Sequence, residues 1–386
     1  VLSIAIFDLA IAGHISVSTF YAGRLRKVRA RRVECDSEEP ATDVVLPSTS
    51  VIVYSPGDAE ILAKTLPNLL KQDFTGPYEV IVVDDGAYSD TDMVVKRLKH
   101  SFSDLYLTFA PDGARVLSRK KLALTLGIKA AKGDIIVVTD ATTVVPSEKW
   151  LQSMVAPFTD PSVDVVLGYN HHLMPDYSWK GRQVAVFDAA SDDVAWLSSA
   201  IEGNTYRGCA NNLAYRKEKF FQIKGFSKSL NLRNGDDDIF VSEITDGAGV
   251  RVILSEDTIG TFGYDYGVKK DMYLSRLHHA FTGKNLSKSS RNILTFGEVV
   301  MWLIIVFALA GGFFAGVTNL FGWTLALVII LAMFVIVTLM WGKTFPVLGY
   351  DKLSLSVPLL AMTRPLRNLV VSLRSGDKNL GNYTWQ

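Results

Sequence analysis

Two apolar runs in the first 140 residues end on aspartate: Glu79-Val-Ile-Val-Val-Asp-Asp-Gly86 and Asp134-Ile-Ile-Val-Val-Thr-Asp140. Unbroken Val and Ile is the pattern of a parallel strand buried on both faces, and in open α/β sheets ligands bind just beyond the carboxyl ends of such strands. A carboxylate placed there can hold a ribose hydroxyl or a metal-bound phosphate, so Asp84, Asp85 and Asp140 point to nucleotide chemistry. A third group, Asn234-Gly-Asp-Asp-Asp-Ile239, sets three carboxylates side by side. Their repulsion is expected to raise at least one pKa, which suits a general base working near neutrality. Capping of a following helix explains one of these acids but not all three.

The elements that must position these acids are legible in outline. Ser50-Val-Ile-Val-Tyr54 reads as a first strand, ending where Tyr54 can stack on a base, and Pro56 to Asp58 as a turn. A helix over 59–72 follows, with Leu62, Leu66, Leu69 and Leu70 on one face. Next come the Glu79 strand, a helix over 90–100, a strand over 105–109, a Lys-rich helix over 118–131 and the Asp134 strand. Strands alternating with helices predict βαβ units on a parallel sheet. Beyond Thr143 the pattern loosens to a helix over 148–158, a strand over 163–169 and a polar, aromatic stretch to Arg207, as suits a region built for a second substrate. Arg119, Lys120 and Lys121 open the Lys-rich helix, where cations oppose the macrodipole and so need another reason to be there.

With 386 residues the chain holds one α/β domain of roughly 250 residues and a remainder that reads as membrane. Residues 296–340 carry one charge, Glu298, and break at Asn319 and Gly322, which at roughly 20 residues per crossing predicts a hairpin spanning a bilayer twice. Residues 1–23 are apolar and run into a basic cluster from Arg24 to Arg32. Signal peptides place their positive charge before the apolar run, so this reads as an anchor. The cluster, and Lys343, Lys352, Arg364, Arg367 and Arg374 after the hairpin, keep the globular part and the tail cytosolic. A net charge of +1 speaks against a nucleic-acid partner. Cys35 and Cys209 make no disulfide framework and fit a reducing compartment. The expected organisation is an N-terminal span at 1–23, a basic segment and linker at 24–47, an α/β domain at 48–292, the hairpin at 296–341 and an amphipathic interfacial segment at 342–386.

Taken in order, Val-Val-Asp-Asp-Gly, Thr-Asp-Ala, Gly-Cys-Ala-Asn-Asn-Leu-Ala-Tyr and Gly-Asp-Asp-Asp, followed by a membrane hairpin, resemble the membrane-anchored inverting glycosyltransferases of family 2, bacterial type. The resemblance implies a GT-A fold, Rossmann-like α/β, plus transmembrane helices. It implies that Asp85, with Asp84 beside it, holds the base or ribose of a nucleotide-sugar, that Asp58 matches an acid following the first strand, and that Lys121 faces the donor. Asp140 matches the first acid of the Asp-x-Asp motif that holds Mg²⁺ or Mn²⁺ on the donor diphosphate, although Thr142 replaces the second acid. Asp237, next to Asp236, stands where relatives place the base. Gly208 to Tyr215 matches an acceptor-side loop in which Asn211 or Asn212 hydrogen-bonds a sugar or phosphate, with a simple turn role as the alternative. Ser275-Arg-Leu-His-His279 stands where processive relatives carry Gln-x-x-Arg-Trp. Without the Gln and Trp, transfer of a single sugar is favoured, and Arg276 or His278 is left to contact the leaving diphosphate. A metal pair of His278 and His279 is disfavoured, because neighbours on a helix point apart. The implied function is transfer of one sugar to a membrane-associated or lipid-linked acceptor in cell-envelope or surface-polysaccharide assembly at the bacterial plasma membrane. A processive synthase and a non-catalytic scaffold stand as alternatives.

Overall fold

The computed structural model describes residues 1–38, 44–57, 59–84, 90–110, 118–174, 178–263, 269–286, 293–353 and 355–375. It divides into a helical unit, Val1–Ala30 with Met174–Ser198 and Ser287–Arg374, and an α/β unit built from Arg31–Leu173 and Ser199–Leu286. Asp58 and Asp85 lie outside the described residues.

Helix α1 (Leu2–Ser16) continues through a π turn into α2 (Ala22–Ser37). The basic segment and the first residues of the expected linker are therefore helical as far as Ser37. The i,i+3 and i,i+4 pairs Arg31–Glu34 at 3.1 Å and Arg32–Asp36 at 2.6 Å support the extension, and Arg31 Nε donates to the Val252 carbonyl at 2.7 Å.

The α/β unit opens with β1 (Thr49–Ser55), α3 (Ala59–Leu70), β2 (Tyr78–Asp84), α4 (Thr91–Lys99), β3 (Leu105–Phe109), α5 (Arg119–Ala130) and β4 (Ile135–Asp140). Then follow β5 (Thr143–Val144), α6 (Trp150–Val155), β6 (Val165–Leu167) and β7 (Asn170–Leu173). Beyond α7 (Trp179–Ile201), which belongs mainly to the helical unit, come β8 (Leu213–Arg216), α8 (Lys217–Gln222), α9 (Ile239–Ile244), β9 (Val250–Val252), β10 (Gly260–Gly263) and α10 (Lys269–Thr282).

The main sheet runs β3-β2-β1-β4-β8-β6-β9, with β1 to β4 parallel and β8 antiparallel to both β4 and β6. Its first strands are apolar without alternation because both faces are covered, and Val51, Val53, Val80, Val82, Ile135 and Val137 join one core. Helix α5 lies hard against this sheet. A Cβ on Gly127 would meet Val83 Cγ2 at 2.6 Å and Ile52 Cγ2 at 3.0 Å, so only glycine allows the approach that seats the lysine end of α5. A small second sheet, β5-β10-β7, carries the chain on from Asp140.

In the helical unit, α11 (Ile293–Ala315) and α12 (Leu320–Thr344) form the expected hairpin, turning at Gly316 (φ +119°) with Asn319 capping α12. Three helices are long and apolar enough to cross a membrane: Leu2–Ser37, Leu294–Ala315 and Leu320–Leu348. The C-terminal segment forms α13 (Val357–Arg374), whose two central arginines face carboxylates rather than water. Arg364 reaches Glu298 at 3.0 Å and Asp192 at 2.6 Å, and Arg367 grips Asp188 with two nitrogens at 2.6 and 3.1 Å. Residues 174–198, inside the stretch expected as one α/β domain over 48–292, group with the helical unit. On α7, Asp188 and Asp192 are neutralised by arginines of α13, and Asp193 accepts from Tyr350 Oη at 2.9 Å. Removing one partner of a buried ion network leaves uncompensated charge. Arg364→Met is expected to destabilise the helical unit by about 3–5 kcal/mol, read as a fall in melting temperature in detergent, whereas exposed Lys352→Ala changes it by less than about 0.5 kcal/mol.

Candidate active site

Strand register brings three distant stretches to one rim. Tyr54 pairs with Asp140 and Ser55 with Asp84, so the carboxyl ends of β2, β1 and β4 are level. The chain winds outward from β1 to β2 and β3, then crosses back to lay β4 on the other side of β1. Tyr54 and Asp140 thus flank the switch point at which open α/β sheets bind ligands.

Asp140 is held firmly. Its Oδ1 accepts from Thr142 N at 3.0 Å, Thr142 Oγ1 at 2.6 Å and Thr143 Oγ1 at 3.1 Å, and its Oδ2 accepts from Asn211 Nδ2 at 3.2 Å. Thr142, in the place of the second acid, therefore orients the first. A carboxylate oxygen with a single donor keeps a lone pair, so Oδ2 fits a hard cation that takes its other ligands from phosphate and water. Asp237, Asp238 and His279 also bring ligand atoms within 4.8 Å of one another. They form a second group of the kind that could hold a metal ion.

The three adjacent acids have three different tasks. Gly235, at φ +110°, turns the chain into them. Asp236 Oδ2 pairs with Lys120 Nζ at 2.6 Å. Asp237 Oδ2 accepts from His279 Nε2 at 2.5 Å. Asp238 is fully buried; one oxygen caps α9 through Ile239 N at 2.6 Å and the other accepts from Thr282 Oγ1. Burial, reinforced by the Asp237 charge, pushes the Asp238 carboxyl up. Burial alone would do the same to Asp237, but the charge and hydrogen bond of His279, with Arg207 and Lys120 beyond it, hold that carboxyl well below the usual range. The raised acid is thus the buried cap, and the acid that faces the site is firmly ionised.

Lys120 is the cation of the site. It sits 5.4 Å from the centre of the Tyr54 ring and pairs with Asp236. Burial would discharge it, but Asp236 and Asp140 outweigh burial and keep the ammonium charged. Lys121 is the residue expected to face the donor. It is 0% exposed, with Nζ directed to the carbonyls of Ser229, Leu232 and Asn234. Successive residues on a helix point about 100° apart, and Lys121 shares the buried face of Leu124 and Ile128.

Asn211 and Asn212, the expected acceptor-side residues, both bond other groups of the protein. Asn212 is 1% exposed, and its amide joins Tyr169 O, Asn170 Oδ1, Thr258 O and Trp150 Nε1, which leaves nothing for a sugar. Asn211 bonds Asp140 and Thr143 on the side of the switch point. His278 Nδ1 meets Asn234 Nδ2 at 2.9 Å and so braces the loop before the acids; Arg276 lies half-buried one turn earlier on α10. His279 and Thr282, three apart on α10, hold Asp237 and Asp238 in turn. That i,i+3 spacing opposite two neighbouring acids was the signal for His279, as the apolar face of α5 was for Lys121.

An acid and a cation at the switch point, an aromatic ring beside them and a second carboxylate facing the same space define the class as a GT-A-type α/β domain that handles activated sugars. In fold the chain is similar to the mannosyltransferase PcManGT from Pyrobaculum calidifontis in complex with GDP-Man and Mn²⁺, with a TM-score of 0.54 at 18% identity over 94% of this chain and 99% of that one. Residues 50–223 match the model of Glycosyl transferase family 2. Among curated relatives, the Escherichia coli chondroitin synthase is 28% identical over 32% of this chain and 17% of its own length, so the chain spans about a sixth of that relative. A Bradyrhizobium elkanii N-acetylglucosaminyltransferase is 28% identical over 42% of this chain and 87% of its own length.

Proposed function

We propose that this chain is an inverting glycosyltransferase that moves one sugar from a nucleoside-diphosphate sugar to a hydroxyl of a membrane-associated acceptor, such as a lipid-linked glycan. The reading places it in envelope or surface-polysaccharide assembly, at the cytosolic face of a bacterial plasma membrane. The observation that carries the proposal is the meeting of Tyr54, Lys120, Asp140 and the Asp236–Asp237 pair, residues from four separate stretches of chain.

In this reading Tyr54 stacks on the base, Asp84 and Asp85 hold the ribose or base, and Lys120 faces the diphosphate. Arg276 adds positive charge as the leaving group departs. Asp237 takes the proton of the attacking hydroxyl. Although its low pKa makes it a weak base in the ground state, the hydroxyl grows strongly acidic as its oxygen bonds to the anomeric carbon, and a carboxylate ionised at all working pH is then adequate. The hydroxyl attacks opposite the departing diphosphate, so the anomeric centre inverts. A divalent cation, held by Asp140 Oδ2 and the donor phosphates, would neutralise charge on the leaving group. His279 stands where a processive synthase would present an acceptor-stacking Trp, and its bond to Asp237 removes that platform, which supports single transfer.

The test is release of nucleoside diphosphate from a donor panel by the full chain in detergent or bilayers, with product length read by mass spectrometry. One-sugar products in wild type, absent in Asp237→Asn but retained in Asp164→Asn, are expected. Long chains in the products return the processive reading, and no release from any donor favours a scaffold. Chelation is expected to suppress turnover and Mn²⁺ to restore it. Asp140→Asn should raise the Mn²⁺ concentration for half-activity by about tenfold or more, since it removes one charged ligand of a site with few.

A further inference from the structure

Resting on the reading of Asp237 as the base, we propose that Lys121 is a positioning residue: its ammonium pins the 229–235 loop and thereby sets the place of the acids that follow it. The geometry is complete in itself. An ammonium has three donors, and Lys121 Nζ finds three carbonyl acceptors, Ser229 at 2.6 Å, Asn234 at 2.7 Å and Leu232 at 3.2 Å. All three lie in the segment that ends at Gly235, immediately before Asp236 and Asp237. The same helix start adds a fourth tie, Ser118 N to Leu230 O at 2.8 Å. Gly235 fits the arrangement, since a Cβ there would lie 3.5 Å from Lys121 Nζ and its φ of +110° is one that glycine adopts freely.

The adjacent residues Lys120 and Lys121 therefore grip the same acidic turn from two sides, one through a carboxylate and one through the backbone. A cation in the first turn of α5 opposes the helix dipole, and a fully buried lysine is costly, so its retention here answers a need of the loop rather than of the helix. The groups around Lys121 are Asp236, Asp237 and Asp238, which favour its charge, and Lys120, which opposes it. Burial is the largest influence and brings the ammonium down to about 8. Deprotonation leaves two donors and a lone pair facing three carbonyls, so the pin loosens just above neutrality. Global stability moves the other way. Between that value and the ordinary lysine value the unfolded chain binds more protons, and stability rises with pH. A loop that opens while the fold tightens distinguishes the pin from simple unfolding.

The experiment is hydrogen exchange of the full chain in nanodiscs, read on peptides covering 226–242 and on β1, β2 and β4. Raising wild type from about pH 7 to about pH 9.5, with rates corrected for base-catalysed exchange, is expected to cost residues 229–238 about tenfold in protection while the strands hold theirs. Lys121→Met should show the same loosening at neutral pH. It should also lower kcat by about 100-fold while the affinity for UDP or GDP, whichever wild type binds, changes by less than about threefold. Unchanged protection in the loop, or nucleotide affinity that falls in step with turnover as for a donor contact, overturns the proposal. Should Lys121→Met fail to fold, the wild-type pH series decides alone. If the loop loosens as expected but no donor supports turnover in wild type, the pin stands and the transferase reading falls.

Discussion

Asp237→Asn is expected to lower kcat by about 10³-fold while donor affinity changes by less than about threefold, measured as initial rates of nucleoside diphosphate release. The carboxamide matches the carboxylate in size but cannot accept the acceptor's proton. Its effect should greatly exceed that of Asp236→Asn, which removes a partner of Lys120 rather than the group facing the hydroxyl. His279 gives the assignment a second, independent readout. Because His279 holds the Asp237 carboxyl below the usual range, wild-type kcat/KM should keep its value as pH falls toward ordinary carboxylate values. In His279→Gln that support is lost, the Asp237 pKa climbs toward its ordinary value, and the acid limb of the profile moves to higher pH. A limb that stays in place would assign it to another group.

Lys120→Met carries the other large effect. The ammonium pairs with Asp236, feels the charge of Asp140 and lies beside the Tyr54 ring at the switch point. Loss of a positioned charge aimed at a leaving diphosphate is expected to lower kcat/KM by about 10²–10³-fold. The substitution also leaves Asp236 half-paired in a buried site, which costs stability by the logic of a broken ion pair. Pairing it with Asp236→Asn separates the two consequences: melting temperature should recover in the double variant, and activity should not. Recovery of both would mean that Lys120 serves only to neutralise Asp236.

The strand ends were legible because burial on both faces leaves an unbroken apolar run, and the acid that terminates it stands out. Asp84 and Asp140 stand out that way, and the register sets Tyr54, at the end of the first run, level with them. The side-chain tasks within the acidic cluster were not legible, since three adjacent aspartates look alike until His279, Lys120 and Thr282 approach from elsewhere in the chain. Choosing between Lys120 and Lys121 needed the phase of α5 against the sheet, which Gly127 sets through contact with Val83 and Ile52. The polar stretch that holds α7 is a similar case: the arginines that neutralise its Asp188 and Asp192 lie more than 170 residues away. Local sequence records which groups are polar; it does not record which distant group pairs with them.

One activated sugar held between Lys120, Asp140 and Asp237 is the arrangement on which transfer depends, and a structure of the full chain with Mn²⁺ and UDP, and separately with GDP, tests it most directly. The expected result is a diphosphate within hydrogen-bonding distance of Lys120, a metal on Asp140 Oδ2, the base against Tyr54, and Asp237 facing the space where the anomeric carbon would lie. A nucleotide bound elsewhere, with Lys120 still closed on Asp236 and Asp140 still held only by its threonines and Asn211, would contradict it.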